Sequence, residues 1–265
     1  MKKIVVILLS FLFSVSLFAQ PRIVSHRGGR FEVEENTLEA FSSALEFGLT
    51  GFELDIHTTA DGKYVIMHDF EVKRMTGTEG TIEKMTFDEL RKLRTLKGHR
   101  IPSLEEVVAL FAKYDGLYVE FELKTTKKDL YPREVLVKYL EDVYSMVQPS
   151  KRPNSTYIFS SFDTRPLAYL TERHPEAKVM YITSEGMSDK TRAIAATCGT
   201  NRIACHRAKT TFAEMQQAHK EGFIVNLWPN GTMEEFMLSY FLGADLICTD
   251  IPRQALEKRK NYLPL

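Results

Sequence analysis

A regular alternation of apolar, strand-like segments with amphipathic, helix-like segments constrains the fold of this 265-residue chain more than any other feature. Eight strands are predicted, at residues 22–25, 51–56, 117–123, 156–161, 178–182, 202–205, 223–227 and 246–248. Each is followed by a segment with apolar residues at helical spacing. We therefore predict an α/β fold, a (β/α)8 TIM barrel. An open doubly wound sheet is the alternative, but Gly28-Gly29 lacks the further glycine of a GxGxxG turn.

One segment departs from this alternation. Residues 64–68 follow the second strand after too few residues for a parallel crossover, and Asp61-Gly62 is typical of a hairpin turn. We predict an antiparallel β-hairpin that places His68 opposite Asp55. The polar segment at about 71–100, with a short helix over 86–96, is predicted to be a small helical insertion after strand 2.

The first 19 residues have the composition of a secretory signal peptide. Two lysines precede an apolar run over residues 4–18, and Ala19 offers a small residue for cleavage. A retained N-terminal anchor is the alternative. We predict an exported protein, periplasmic or extracellular, with residues 21–265 forming a single barrel domain and no membrane-spanning segment after cleavage.

Charge and cysteine content narrow the function further. The 35 basic residues equal the 35 acidic ones, which gives no support for binding nucleic acid or anionic membranes. Cys198, Cys205 and Cys248 form no CxxC pair. We interpret them as small core residues, although a disulfide between two of them is compatible with export.

Titratable side chains occur at the ends of several predicted strands. The titratable ones are His26, Arg27, Glu53, Asp55, His68, Glu120, Glu122, Lys124 and Asp250. Other side chains at the later strand ends are Ser160, Ser161 and Trp228. In a barrel such strand ends meet at one mouth. Glu53 and Asp55 are two residues apart and share a face, and carboxylates gathered in an interior need a compensating cation. Oxygen ligands favour Mg²⁺ or Ca²⁺ over zinc; ion pairing with Arg27 and Lys124 is the structural alternative.

The two strand-end histidines, His26 and His68, are candidates for general acid and base because imidazole titrates near neutral pH. The fixed charges of Arg27 and Lys124 suit an anionic substrate, most simply a phosphate. The other five histidines are interpreted as structural. Among them His57 is the best candidate for a supporting role, since it is in register with Glu53 and Asp55.

The order of the motifs resembles one known family. The motifs are Ser25-His26-Arg27-Gly28-Gly29, Glu35-Asn36-Thr37, Glu53-Leu54-Asp55, Thr59-Ala60-Asp61-Gly62, His68-Asp69, Ile101-Pro102-Ser103-Leu104, Glu122-Leu123-Lys124 and Thr249-Asp250-Ile251-Pro252. From residue 23 to about 257 the chain resembles the glycerophosphodiester phosphodiesterase family, whose fold is a TIM barrel with a small insertion after the His-Asp motif.

The resemblance implies roles for eight residues: acid–base catalysis by His26 and His68, ligation of one divalent cation by Glu53, Asp55 and Glu122, phosphate contacts by Arg27 and Lys124, and a substrate wall at Trp228. The sequence Trp228-Pro229-Asn230-Gly231 departs from the family's Trp-Thr-Val-Asn, so packing is an equal interpretation of Trp228. Glu120 receives no role.

The resemblance implies metal-dependent hydrolysis of a glycerophosphodiester, a small-molecule substrate of lipid and glycerol metabolism, to glycerol 3-phosphate and an alcohol. Three alternatives stay open. A lysophospholipase D or phosphoinositide phospholipase-like activity would require an apolar lip at the mouth. An amidohydrolase is disfavoured because strand 1 ends in His-Arg-Gly rather than His-x-His. A non-catalytic phosphate-binding protein would have lost a histidine or a carboxylate. The sequence leaves the oligomeric state undetermined.

Overall fold

Eight parallel strands close into a barrel, as the sequence predicts. The structure is a computed structural model that describes residues 20–262, with side chains as far as Lys260, so the signal-peptide prediction for residues 1–19 lies outside the described residues. Within residues 20–262 the strands are β1 (Arg22–Ser25), β2 (Gly51–Thr58), β3 (Tyr64–Ile66), β4 (Tyr118–Leu123), β5 (Thr156–Ser161), β6 (Lys178–Ile182), β7 (Arg202–His206), β8 (Ile224–Trp228) and β9 (Leu246–Thr249). β1 pairs in parallel with both β9 and β2, which leaves the barrel without an open edge.

Helices cover the outside of the barrel, and two short ones belong to the insertion. The helices are α1 (Leu38–Glu46), α2 (Lys73–Thr76), α3 (Phe87–Lys92), α4 (Leu104–Phe111), α5 (Arg133–Val147), α6 (Thr164–Arg173), α7 (Asp189–Thr197), α8 (Phe212–Lys220), α9 (Met233–Phe241) and α10 (Pro252–Tyr262), of which α2 and α3 belong to the insertion. The helix predicted over 86–96 ends earlier, at Lys92, because Leu93 is extended. Within residues 20–262, no helix combines the length and apolarity needed to cross a membrane.

Strand alternation separates two apolar layers. On β4, Val119, Phe121 and Leu123 join the cluster between strands and helices. Tyr118, two residues from Glu120, joins a smaller cluster inside the barrel with Ile158 and Met180. The interior therefore has an apolar lower layer and carboxylates nearer its mouth. All three cysteines are buried and free.

The predicted register of the hairpin is wrong by one residue. Ile56 lies opposite Ile66, and the Met67 amide donates to the Asp55 carbonyl oxygen over 3.1 Å, so His68 lies beyond the last pair. The cause is the connection, which is a five-residue loop over 59–63 instead of a two-residue turn. The Thr59 amide donates to the Lys63 carbonyl oxygen (2.8 Å), and the Thr59 hydroxyl accepts from the Lys63 amide (2.9 Å).

Residues 67–102, between β3 and α4, form the insertion. It contains α2 and α3 and encloses an apolar cluster of its own, made of Val65, Met67, Val72, Met75, Ile82, Leu90 and Ile101. Met85 and Phe87 pack against the same cluster. Most apolar side chains of the insertion are therefore turned inward, whereas Leu96 is exposed.

Candidate active site

Three carboxylates from neighbouring strands gather inside the mouth of the barrel. Glu53 and Asp55 lie on β2, and the parallel pairing of β2 with β4 puts Glu122 directly beside Asp55. One oxygen atom from each of the three lies within 4.8 Å of the others, and all three residues are buried. This is the cluster expected from the strand ends, and its donor set consists only of oxygen.

The electrostatics of this cluster fit a divalent cation. Burial, followed by the charges of Asp55 and Glu122, raises the pKa of Glu53 well above its usual value. The Glu53 Oε1 atom is buried without a hydrogen-bond partner. A buried carboxylate group with an unpartnered oxygen and mutual repulsion gains most from a hard cation with oxygen ligands. The residues present thus suit Mg²⁺ or Ca²⁺.

Two buried cations already offset part of the negative charge. Lys124 Nζ lies 2.7 Å from Glu122 Oε1 and 3.3 Å from Asp55 Oδ1, while Arg27 Nε lies 3.6 Å from Asp55 Oδ2. Although burial alone would raise it, the pKa of Asp55 is lowered, chiefly by Lys124 and then by His68 and Arg27. Asp55 is therefore an anion, whereas Glu53 is the carboxyl group whose ionisation is least compensated.

Local backbone geometry explains how Arg27 reaches the site. Its φ of 53° is left-handed, and its amide donates to Glu53 Oε2 over 3.0 Å. The next residue, Gly28, has φ 84°, and a Cβ there would approach the Ala40 Cβ to 2.8 Å. Only glycine lets this loop lie so close to α1. The Arg27 guanidinium also donates from Nη1 to Glu35 Oε1 (2.9 Å).

Both candidate histidines are oriented by a carboxylate. His26 Nδ1 lies 2.5 Å from Asp250 Oδ1, and His68 Nδ1 lies 2.6 Å from Asp69 Oδ1. Each Nδ1 therefore carries a proton, which leaves Nε2 as the nitrogen that can exchange a proton with a ligand. Burial lowers the pKa of His26, and the hydrogen bond to Asp250 opposes that shift. His26 is consequently neutral at neutral pH.

These groups surround a cavity of about 250 Å³. Six of the eight sequence-predicted residues line it: His26, Arg27, Glu53, His68, Glu122 and Trp228. Asp55 is fully buried behind them, and Lys124 lines a neighbouring surface groove that shares His68 with the cavity. Trp228 packs edge-to-face on Phe162, with ring centroids 5.7 Å apart, so one side of the cavity is aromatic.

Sequence reasoning left several supporting residues without a role. Asp69 and Asp250 orient the two histidines, and Arg74 of α2 donates hydrogen bonds to both Asp69 and Glu35. In the sequence, Asp69 belongs to a His-Asp dipeptide and Asp250 follows Thr249 at the end of the last strand. Neither pattern shows which histidine the aspartate contacts. His57, the candidate for a supporting role, contacts the loop of His68, with its Nε2 atom 3.3 Å from the His68 carbonyl oxygen.

A (β/α)8 barrel with two carboxylate-oriented imidazoles beside a cluster of three buried carboxylates has the construction of a hydrolase. Comparison with known proteins identifies the family to which the chain belongs. The glycerophosphoryl diester phosphodiesterase family matches residues 26–254, and the chain belongs to it. It is therefore a phosphoric diester hydrolase, and the resemblance found in the ordered motifs is confirmed.

Individual relatives agree with this assignment. The chain is 35% identical over 166 residues to a glycerophosphodiester phosphodiesterase of Caldanaerobacter subterraneus, covering 59% of this chain and 64% of that one. It is 24% identical over 248 residues to the enzyme of Bacillus altitudinis, covering 91% and 98%. A solved phosphodiesterase of Oleispira antarctica, in complex with the product sn-glycerol-3-phosphate, has the same fold, with a TM-score of 0.82, 21% identity, and 91% and 98% of the two chains covered.

Proposed function

We propose that this protein hydrolyses glycerophosphodiesters to glycerol 3-phosphate and an alcohol, with one divalent cation and with His26 and His68 as the acid–base pair. The observation that carries the proposal is the pair of imidazoles, each fixed through Nδ1 by a carboxylate, on one cavity with the Glu53, Asp55 and Glu122 cluster. The product bound to the Oleispira antarctica phosphodiesterase supports glycerol 3-phosphate as the retained half of the substrate.

Glu53, Asp55 and Glu122 would hold the cation, Mg²⁺ or Ca²⁺. When bound, it supplies positive charge to a non-bridging phosphate oxygen and fixes the orientation of the substrate. Arg27 and Lys124 lie beside the carboxylates and would add positive charge beside the phosphate. Both are buried, so their charges act through little solvent.

One histidine removes a proton from the nucleophile, and the other protonates the oxygen of the departing alcohol. The nucleophile is either water or the glycerol 2-hydroxyl of the substrate, which would give a cyclic phosphate first. A 2-deoxyglycerol analogue separates the two routes, because it can be cleaved only if water attacks directly.

The decisive experiment is a substrate panel of glycerophosphodiesters and lysophospholipids, assayed after EDTA treatment and after adding back Mg²⁺ or Ca²⁺. We expect glycerophosphodiesters to be cleaved and activity to return with the cation. The insertion turns its apolar side chains inward except for Leu96, which favours a small polar substrate over a lipid. Preferential cleavage of lysophospholipids would support the lipase-like alternative, and binding of phosphodiesters without turnover would support a non-catalytic protein.

Replacing either catalytic histidine should remove most activity. His26→Ala and His68→Ala are each expected to lower kcat by about 10²–10⁴-fold, the usual contribution of a general acid or base. His219→Ala is a matched control, since its ring contacts Asp245, away from the cavity. A His68→Ala enzyme with near-normal kcat would contradict the proposed mechanism.

Cation binding should also stabilise the fold, because it relieves repulsion among the three carboxylates. At 100 times its Kd, Mg²⁺ or Ca²⁺ is expected to raise the Tm by roughly 5–10 °C. Differential scanning fluorimetry measures the shift. Glu53→Gln should lose most of it, and an equal shift in that variant would place the cation elsewhere.

Export is part of the same proposal. The basic start, apolar run and Ala19 support a signal peptide over residues 1–19, which would place the enzyme in the periplasm or outside the cell. Sequencing the N-terminus of the mature protein is expected to find Gln20 first. A mature chain that begins at Met1 would contradict cleavage.

A further inference from the structure

A second group of potential metal ligands overlaps the carboxylate cluster and contains sulfur. Cys248 lies on β9, beside Val24 of β1 in the barrel, and joins the interior apolar cluster. Its Sγ atom, a ring nitrogen of His26 and a carboxylate oxygen of Glu53 all lie within 4.8 Å of one another. All three residues line the same cavity of about 250 Å³.

We propose that His26, Glu53 and Cys248 form a binding site for a thiophilic divalent ion of the Zn²⁺ class, and that its occupation inhibits the enzyme. The two clusters share Glu53 but differ in chemistry. The Glu53, Asp55 and Glu122 cluster offers only oxygen, which suits hard cations, whereas nitrogen and sulfur donors favour Zn²⁺.

The ligands are arranged for this role before any ion binds. Because Asp250 accepts the Nδ1 proton of His26, the lone pair on Nε2 is available to a metal. A carboxylate on the second nitrogen is the usual support of a metal-binding histidine. Glu53 Oε1 is an unpartnered buried oxygen on a side chain that is only 5% exposed. Cys248 provides the donor that distinguishes this site from the oxygen cluster.

The spacing needs only a small adjustment. Ligand atoms around tetrahedral zinc lie about 3.5 Å apart, so separations of up to 4.8 Å close with modest side-chain rotations. Water from the open cavity completes the coordination. On binding, the Cys248 thiol loses its proton to solvent and a sulfur–metal bond forms, with no change of oxidation state.

Inhibition follows from the shared residues, and this part of the inference rests on the proposed function. An ion on Nε2 occupies the lone pair that His26 would use to exchange a proton. It also takes Glu53 from the oxygen cluster. Because both ions need Glu53, they compete, and Zn²⁺ should inhibit where it displaces Mg²⁺ or Ca²⁺, which the nitrogen and sulfur donors favour.

Cobalt provides a test that needs no substrate, because Co²⁺ replaces Zn²⁺ and a thiolate ligand gives a near-ultraviolet charge-transfer band. We expect the band in the wild-type protein and in Cys205→Ser, and its loss in Cys248→Ser. Cys205 is a matched control, since it is a buried strand cysteine in the layer between barrel and helices. Cys248→Ala is the second variant should serine impair folding. Absence of the band from the wild type, or its persistence in a folded Cys248 variant, overturns the site.

Activity tests the consequence. With Mg²⁺ or Ca²⁺ saturating, the Zn²⁺ concentration for half-inhibition should rise at least about tenfold in Cys248→Ser, each variant being compared with its own zinc-free rate. Cys205→Ser should match the wild type. An unchanged inhibition profile in Cys248→Ser overturns the inhibitory role. If the substrate assay shows no turnover at all, the proposed function fails while the cobalt band still reports the site.

Discussion

Two buried glutamates on β4 show how neighbours decide the charge of a residue. Glu122 pairs with Lys124, whose Nζ lies 2.7 Å away. Glu120 lies two residues earlier on the same face of β4. Its carboxylate accepts hydrogen bonds from the neutral Tyr118 hydroxyl (2.8 Å) and from Asn226 Nδ2 (2.8 and 3.0 Å). Burial raises the pKa of Glu120 to about 7, against these hydrogen bonds. Glu120 is therefore a group whose ionisation costs stability.

This cost predicts a pH-dependent difference between the wild type and Glu120→Gln. The folded-state pKa of about 7 lies above the ordinary value of 4.5, so the stability that Glu120 contributes is complete below pH 4.5 and is lost as the pH rises through 7. Relative to Glu120→Gln, the wild type should lose about 3 kcal/mol of unfolding free energy across that range. Urea unfolding of both proteins in EDTA measures it. A difference that does not vary with pH would contradict the buried-acid interpretation.

At the scale of elements, the insertion is tied to the loop that carries His68. Glu83, in the short helical turn Ile82–Lys84, lies 2.7 Å from His57 Nδ1, and the Tyr131 hydroxyl donates to the same oxygen over 2.9 Å. The other nitrogen of His57 meets the His68 carbonyl oxygen. His57 contacts an acceptor through each ring nitrogen, so the imidazole links the insertion to the loop that carries His68.

Loss of this link should affect catalysis more than substrate binding. We expect Glu83→Ala to lower kcat by about 10- to 100-fold with little change in KM, because His68 is no longer held in place. Glu83→Gln keeps an acceptor for His57 and should restore most of the rate. Lys84→Ala, at the exposed neighbouring residue, is the control. Equal kcat values for Glu83→Ala and Lys84→Ala would rule out this positioning role.

At the scale of the whole molecule, closure of the barrel depends on a narrow contact between β1 and β2. The register pairs Ser25 with Phe52, and the adjacent Gly51 lies against the backbone of β1. A Cβ at Gly51 would meet the Ile23 carbonyl oxygen at 2.1 Å, and main-chain atoms cannot rotate aside. The same closure brings His26, which follows β1, next to Glu53 on β2.

Gly51→Ala should therefore destabilise the barrel, by about 3 kcal/mol in unfolding free energy. Gly231→Ala is the control, because its Cβ would meet mainly the Phe31 side chain, which can move, at 3.0 Å. Chemical denaturation measures both variants. If Gly51→Ala and Gly231→Ala lose the same unfolding free energy, the stability of the barrel does not depend on the close approach of β1 and β2.

The sequence by itself determined most secondary-structure elements and the candidate site residues. Alternation places Glu53 and Asp55 on one face of β2, and helical spacing from Leu38 sets the buried face of α1. Such patterns are local, because side-chain direction repeats every two residues in a strand and every 3.6 in a helix. They were sufficient to predict the barrel and to gather the candidate site residues at its mouth.

Only the tertiary structure decided which groups became partners. Asp250 orients His26 across 224 residues of chain, and the insertion brings Arg74 to Glu35 across 39. The predicted pairing of Asp55 with His68 was wrong because the 59–63 loop folds around the Thr59 side chain. The Asp61-Gly62 dipeptide does not indicate that loop conformation. Cys248 likewise reaches the site only because β9 pairs with β1. Closing a barrel joins strands from opposite ends of the chain, and no local pattern specifies the contacts that closure creates.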